Sequence, residues 1–229
     1  MGQRRENDSD RAREEKVGEL ARAYAAAVLA GDEVAAEVVI REALDADLSI
    51  AEVDEEIIGP ALWLVGDLWE RGEISVADEH VATEISLRVL ALEREARRVA
   101  RVRPAYLAML AAPPGELHVV ALRMVANVLG AAGYGVMMVG ADVPTAALAA
   151  AAARYRPDVV CLSATMPASS DGLLIAMHEV QRAWPNANFV IGGRAVTSRF
   201  HARPGVEICR RASDAVVAVD ALVQSAGMN

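Results

Sequence analysis

The sequence predicts an α plus α/β protein, a four-helix bundle followed by a doubly wound parallel sheet. Three observations predict it. Apolar residues repeat at helical spacing as far as Arg103-Pro104. Beyond that point they gather into short continuous runs separated by helical stretches, the pattern of buried parallel strands. The runs end in loops of Gly, Pro, Ser and Thr, and in open parallel sheets ligands sit beyond the carboxyl ends of the strands.

The elements follow in order. Residues 1–16 form a polar arm, and residues 17–102 form the helical cap. Leu20, Ala23, Tyr24, Ala27 and Val28 repeat at helical spacing. A second helix spans Asp32 to Leu44 after Gly31, and a third spans Ile50 to Trp69, with Ile57, Ile58, Leu62 and Val65 on related faces. Gly72 breaks it. Ser75 with Asp78 three positions on is a helix start, and a fourth helix runs from Val76 to Val102. Residues 104–229 form the α/β domain. Its apolar runs are Tyr106–Ala111, Val136–Val139, Val159–Leu162 and Phe189–Ile191, with Ile208 marking a fifth. Helical stretches lie at Leu117–Ala132, Thr145–Tyr155, Gly172–Arg182 and Ser213–Gln224.

A chain of 229 residues, 54% hydrophobic and 24% charged, can bury a core without disulfides. The net charge of -9 argues against a nucleic-acid surface. Arg4, Arg5, Arg11 and Arg13 are diluted by Glu6, Asp8, Asp10, Glu14 and Glu15, so the arm is not a DNA footprint. Cys161 and Cys209 read as reduced, buried residues of a cytoplasmic protein. With no apolar signal core and no run approaching the ~20 residues that span a bilayer, no membrane contact is expected.

The loops carry the candidate chemistry. The first reads Ala112-Pro113-Pro114-Gly115-Glu116-Leu117-His118. Glu116 can accept a hydrogen bond from one ring nitrogen of His118 and leave the other free for a metal. In the second, Gly140 permits an unusual backbone angle and Pro144 suits a first helical turn. The third places Ser163 and Thr165 at i and i+2 after a buried strand. The fourth sets Gly192 and Gly193 after another, where a ligand can lie against bare backbone. Each loop alone is ordinary turn chemistry; their order is not.

The series Glu-x-His-x-x-small, Ser-x-Thr, Gly-Gly on successive strand ends resembles the cobalamin (B12)-binding family, whose domain is Rossmann-like. The resemblance implies cobalamin held base-off, with His118 as lower axial cobalt ligand and Glu116 orienting it. It also implies that Leu117 and Gly140 border the cofactor, that Ser163 and Thr165 face the benzimidazole, and that Gly192 and Gly193 border the nucleotide tail. Ala121 stands where the family usually has Gly, which puts the fit of the tail in doubt.

In the helical half, Trp69 is followed after nine residues by Glu79-His80. This resembles the cap of light-sensing cobalamin proteins, in which such a signature covers the upper face of the corrin. The resemblance implies an adenosylcobalamin-dependent photoreceptor. Light would cleave the weak alkyl–cobalt bond, His80 would take the vacated upper position, and the change would bias domain packing. Those relatives carry a DNA-binding domain ahead of the module, for which this chain has no room. Its expected output is therefore a homo-oligomer that changes state or a contact with another protein, without direct nucleic-acid binding. No enzymatic activity is expected. A second, non-covalent bilin such as biliverdin is compatible with the sequence. The alternatives are a corrinoid carrier for a methyltransferase system, which shares the layout and the lower histidine, and a generic α/β domain.

Overall fold

The computed structural model describes residues 2–96 and 105–226, with side chains from 11 to 94 and from 105 to 224. Two compact units divide between Glu93 and Arg94. The division falls in the last turn of a helix rather than at Arg103-Pro104. That dipeptide, Arg97, Arg98 and Val102 lie outside the described residues, as do the side chains of Arg4 and Arg5.

The helical unit holds α1 (Gly2–Leu29), α2 (Glu33–Asp45), α3 (Ile50–Glu52), α4 (Gly59–Glu70) and α5 (Val76–Ala96). The polar arm is helical from Gly2, continuous with the buried stripe of Leu20, Tyr24, Ala27 and Val28 at i, i+4, i+7 and i+8. Each later start has its own cap. Asp32 accepts from the Ala35 amide at 2.9 Å. Ser49 and Glu52 form a reciprocal capping box, and Ser75 and Asp78 exchange the same pair of contacts at 2.8 and 3.3 Å. The third expected helix is one rod from Ile50 to Glu70 with a π turn at Val53–Ile58 inside it. α3, the π turn and α4 count as one rod, so the helical unit has four rods.

In the α/β unit, β1 (Leu107–Ala111), β2 (Gly135–Gly140), β3 (Val159–Ser163), β4 (Asn188–Gly192) and β5 (Val206–Cys209) form one sheet in the order β2-β1-β3-β4-β5, with all four pairings parallel. Between them run α6 (Val120–Ala131), α7 (Thr145–Tyr155), α8 (Ser170–Ala183) and α9 (Asp214–Ala226). Alternation along the strands sorts the core into two layers. Met109, Ala111, Val160, Leu162, Phe189 and Ile191 pack with Leu148, Leu173 and Met177 on one face. Ala108, Leu110, Val159, Cys161 and Val190 pack with Leu122, Leu129, Val219 and Leu222 on the other. Cys161 and Cys209 are free and buried, and burial pushes both thiols up to about 12. The strand order reverses between β1 and β3, so the loops after those two strands flank the crevice where such folds bind ligands.

Candidate functional site

The loop after β1 is fixed from both sides. Glu116 is fully buried. Its Oε1 accepts from the His118 amide at 2.9 Å and from His118 Nδ1 at 2.6 Å. Its Oε2 accepts from the Thr165 amide at 2.6 Å and the Met166 amide at 2.9 Å. Burial alone would raise the Glu116 carboxyl above its ordinary range. The donors from Met166, His118 and Thr165 outweigh burial and hold it below that range. An ionised Glu116 can only accept, so Nδ1 of His118 carries the shared proton and Nε2 is left with its lone pair. The His118 side chain is 56% exposed. One exposed imidazole on a carboxylate anchor suits a metal whose remaining positions are filled by a macrocycle.

The other expected residues gather on the same sheet edge. Gly140 ends β2 with φ +111, and the space beside it is open. Its carbonyl receives the Ala112 amide at 2.8 Å. Ser163 ends β3, buried, and its Oγ has no hydrogen-bond partner among the described residues. A buried hydroxyl without a partner is costly unless a ligand completes it, so Ser163 fits a ligand group arriving there. Thr165 contributes its backbone amide to Glu116. Leu117 is exposed, and Ala121 is exposed in the first turn of α6.

Gly192 and Gly193 also have a reason within the chain itself. A Cβ on Gly192 would come within 2.9 Å of the Cys209 carbonyl oxygen, and one on Gly193 within 2.2 Å of the Ala164 carbonyl oxygen. The chain itself occupies the place a side chain would take at each position. Ala164 is stitched to the β4 loop through its amide to the Gly192 carbonyl and its carbonyl to the Ala195 amide, both at 3.0 Å. The glycines thereby fix the strand end that presents Ser163.

The sequence reading missed three residues. Val139 and Met166 are exposed apolar side chains near the ends of β2 and β3, and with Leu117 they give this edge apolar surface. Met166, an apolar residue directly after a Ser-x-Thr turn, was the available signal. Asp142 ties the β2 loop to the β1 loop, and only its left-handed backbone, φ +48, marks it.

Trp69, Glu79 and His80 lie on the helical unit. Trp69 sits at the end of α4, half exposed, and Glu79 and His80 lie in the first turns of α5. Glu79 accepts from the Thr83 hydroxyl at 2.9 Å. His80 Nδ1 lies 2.6 Å from the Val76 carbonyl. A carbonyl only accepts, so Nδ1 holds the proton and Nε2 is again the free lone pair. The His80 side chain is 71% exposed. Among the described residues, no helix is long and apolar enough to cross a membrane.

Both units match known families. A B12 binding domain model matches residues 106–220, and a second B12 binding domain model matches residues 20–93. The trimethylamine corrinoid protein 2 of Methanosarcina acetivorans is 27% identical over 85% of this chain and 92% of its own length. The monomethylamine corrinoid protein 1 of the same organism is 27% identical over 70% of this chain and 77% of its own. The HTH-type transcriptional repressor CarA of Myxococcus xanthus is 32% identical over 72% of this chain, which spans only 54% of that repressor. The solved monomethylamine corrinoid protein of Methanosarcina barkeri shares the fold, with a TM-score of 0.72 at 20% identity over 89% of this chain and 99% of that one. The fold, the sheet-edge geometry and both family matches converge: the chain belongs to the B12 binding domain family and is a cobalamin-binding protein.

Proposed function

We propose that the chain holds cobalamin base-off, with Nε2 of His118 on the lower face of cobalt, and acts as a binding module rather than a catalyst. The observation that supports this is the buried Glu116 carboxylate, which fixes the His118 tautomer and leaves Nε2 exposed at the sheet edge. Ser163 would meet the nucleotide tail, and Leu117, Val139 and Met166 would line the corrin edge. When bound, the cobalamin supplies a reactive upper bond at cobalt, light-sensitive with an adenosyl group or transferable with a methyl group.

For the use made of that bond, we propose a light-responsive sensor. Its support is the Trp69, Glu79 and His80 signature, together with the Val76 carbonyl that keeps Nε2 of His80 free for metal. In this reading adenosylcobalamin is the bound form, a bilin such as biliverdin is an optional second chromophore, and the output is a change of homo-oligomeric state or of contact with another protein. A corrinoid carrier for a methyltransferase system is the second reading. The methylamine corrinoid proteins match along most of their own length, whereas the repressor matches over about half of its length, and on that extent the comparisons weigh toward the carrier.

One preparation separates the two. The full chain loaded with adenosylcobalamin is illuminated, and its absorption spectrum and size are followed. A sensor changes both, and His80→Ala keeps dark binding but shortens the life of the photoproduct. A carrier keeps its size when light cleaves the adenosyl–cobalt bond, and exchanges methyl groups from methylcobalamin with a methyltransferase. His118→Ala is expected to lose at least tenfold in cobalamin affinity and the base-off spectrum in either case; an unaltered spectrum would overturn the lower-ligand assignment.

A further inference from the structure

We infer that Asp142 is the positioning residue for the lower-ligand loop, acting through the backbone and not through the cofactor. The inference rests on His118 as the cobalt ligand. Four hydrogen bonds stitch the β2 loop to the β1 loop. The Ala112 amide donates to the Gly140 carbonyl at 2.8 Å and the Val143 amide to the Ala112 carbonyl at 3.0 Å. Asp142 makes the other two. Its Oδ1 accepts from the Gly115 amide at 2.8 Å, and its own amide donates to the Glu116 carbonyl at 2.9 Å.

These two bonds grip the Gly115–Glu116 segment at the amide of one residue and the carbonyl of the next. They set the direction in which the Glu116 side chain leaves the backbone, and Glu116 in turn holds His118 Nδ1. The grip depends on two left-handed residues, Gly115 with φ +80 and Asp142 with φ +48. A side chain in that region is tolerated best by Asp or Asn. The position therefore needs both an acceptor oxygen and tolerance of that backbone. The carboxylate's charge is incidental.

This predicts an order that a purely electrostatic or purely structural residue would not give. Asp142→Asn keeps the acceptor and the backbone. Asp142→Gly keeps only the backbone, and Asp142→Ala keeps neither. The full chain in each form is prepared without cofactor, and amide exchange at Gly115 is measured. Each is then loaded with cob(II)alamin on 15N-histidine-labelled protein, and the fraction of cobalt bound to imidazole is read from nitrogen splitting in the electron paramagnetic resonance spectrum. Asp142→Asn is expected to stay within twofold of the native chain in both readouts. Asp142→Gly is expected to raise Gly115 exchange at least tenfold and lower the imidazole-bound fraction, and Asp142→Ala to do more of both. Native-like exchange and splitting in Asp142→Gly would overturn the inference. Loss in Asp142→Asn equal to that in Asp142→Gly would overturn it in favour of a charge effect. If the native chain itself shows no imidazole splitting, the ligand reading fails, and the exchange order still tests whether Asp142 fixes the loop.

Discussion

Among the described residues, Glu116 of the α/β unit and Asp54 of the helical unit are the carboxylates with no exposed surface, and the two units treat them in opposite ways. Glu116 in the α/β unit receives backbone and ring donors on both oxygens and is held below its ordinary carboxyl range. Asp54, in the π turn of the helical unit, has no hydrogen-bond partner on either oxygen among the described residues. Burial first, then the nearby Glu93 and Glu55, push it up to about 8. Equal burial with opposite titration shows that donors decide the ionisation of a buried acid. The ionised one holds the His118 ring through its Nδ1. The neutral one sits where the i→i−4 helical ladder is interrupted.

The largest effect that tests this contrast is Glu116→Leu. It strands the Thr165, Met166 and His118 amides, each at a cost of about 1–3 kcal/mol, so the α/β unit should lose on the order of 4 kcal/mol in denaturant unfolding. Glu116→Gln should lose less, because one amide oxygen still accepts. Equal stability of Glu116→Leu and the native chain would mean that the four bonds contribute nothing net. In acid the native α/β unit should weaken: a lowered folded pKa gives stability present above the unfolded carboxyl value and lost as pH falls.

Asp54→Asn comes next, with the opposite sign. A folded pKa of about 8 lies above the ordinary 3.8, so the stability of the helical unit is full below pH ~4. It falls as pH rises through 8, by at most about 1.4 kcal/mol per pH unit. Asp54→Asn removes that slope. Melting of the full chain should show the variant more stable than the native chain at pH 8, by at most about 5 kcal/mol, and no more stable at pH 4. A slope that survives the substitution would assign it to Glu93 or another group.

Much of this was legible in the sequence, and the reasons differ by region. Strand runs such as Val159–Leu162 are apolar because both faces are covered, so period and composition gave the sheet directly. The His118 loop was legible because Glu116 and His118 are neighbours in sequence, so their bond is local. The second half of the Glu116 clamp was not, since Thr165 and Met166 lie some fifty residues away and meet it only through the strand order. The glycine pair was legible, but one reason for it was not: the atom that forbids a Cβ on Gly193 belongs to the loop after β3. The π turn was invisible because Val53–Ile58 keeps a helical apolar pattern through the interruption. Asp54 within it looked like any acidic residue on an amphipathic helix.

The smallest predicted effect concerns Tyr24, a fully buried residue whose phenol feels the charge of Asp54. Its hydroxyl donates to Ser86 Oγ at 3.0 Å, and the Ser86 hydroxyl donates in turn to the Ala82 carbonyl at 2.9 Å. Burial first, with Glu93 and Asp54 adding to it against the Ser86 bond, pushes the phenol up to about 12, so Tyr24 stays neutral throughout the range in which Asp54 titrates. Tyr24→Phe keeps the ring that fills the bundle and removes one hydrogen bond, for a loss of about 1 kcal/mol that should be the same at pH 4 and pH 8. Parallel melting curves of the native chain and Tyr24→Phe across that range would leave Asp54 as a carboxyl isolated from the Tyr24–Ser86–Ala82 chain. A loss confined to high pH would show instead that the Tyr24 hydroxyl turns toward ionised Asp54, and the contrast with Glu116 would then be one of degree.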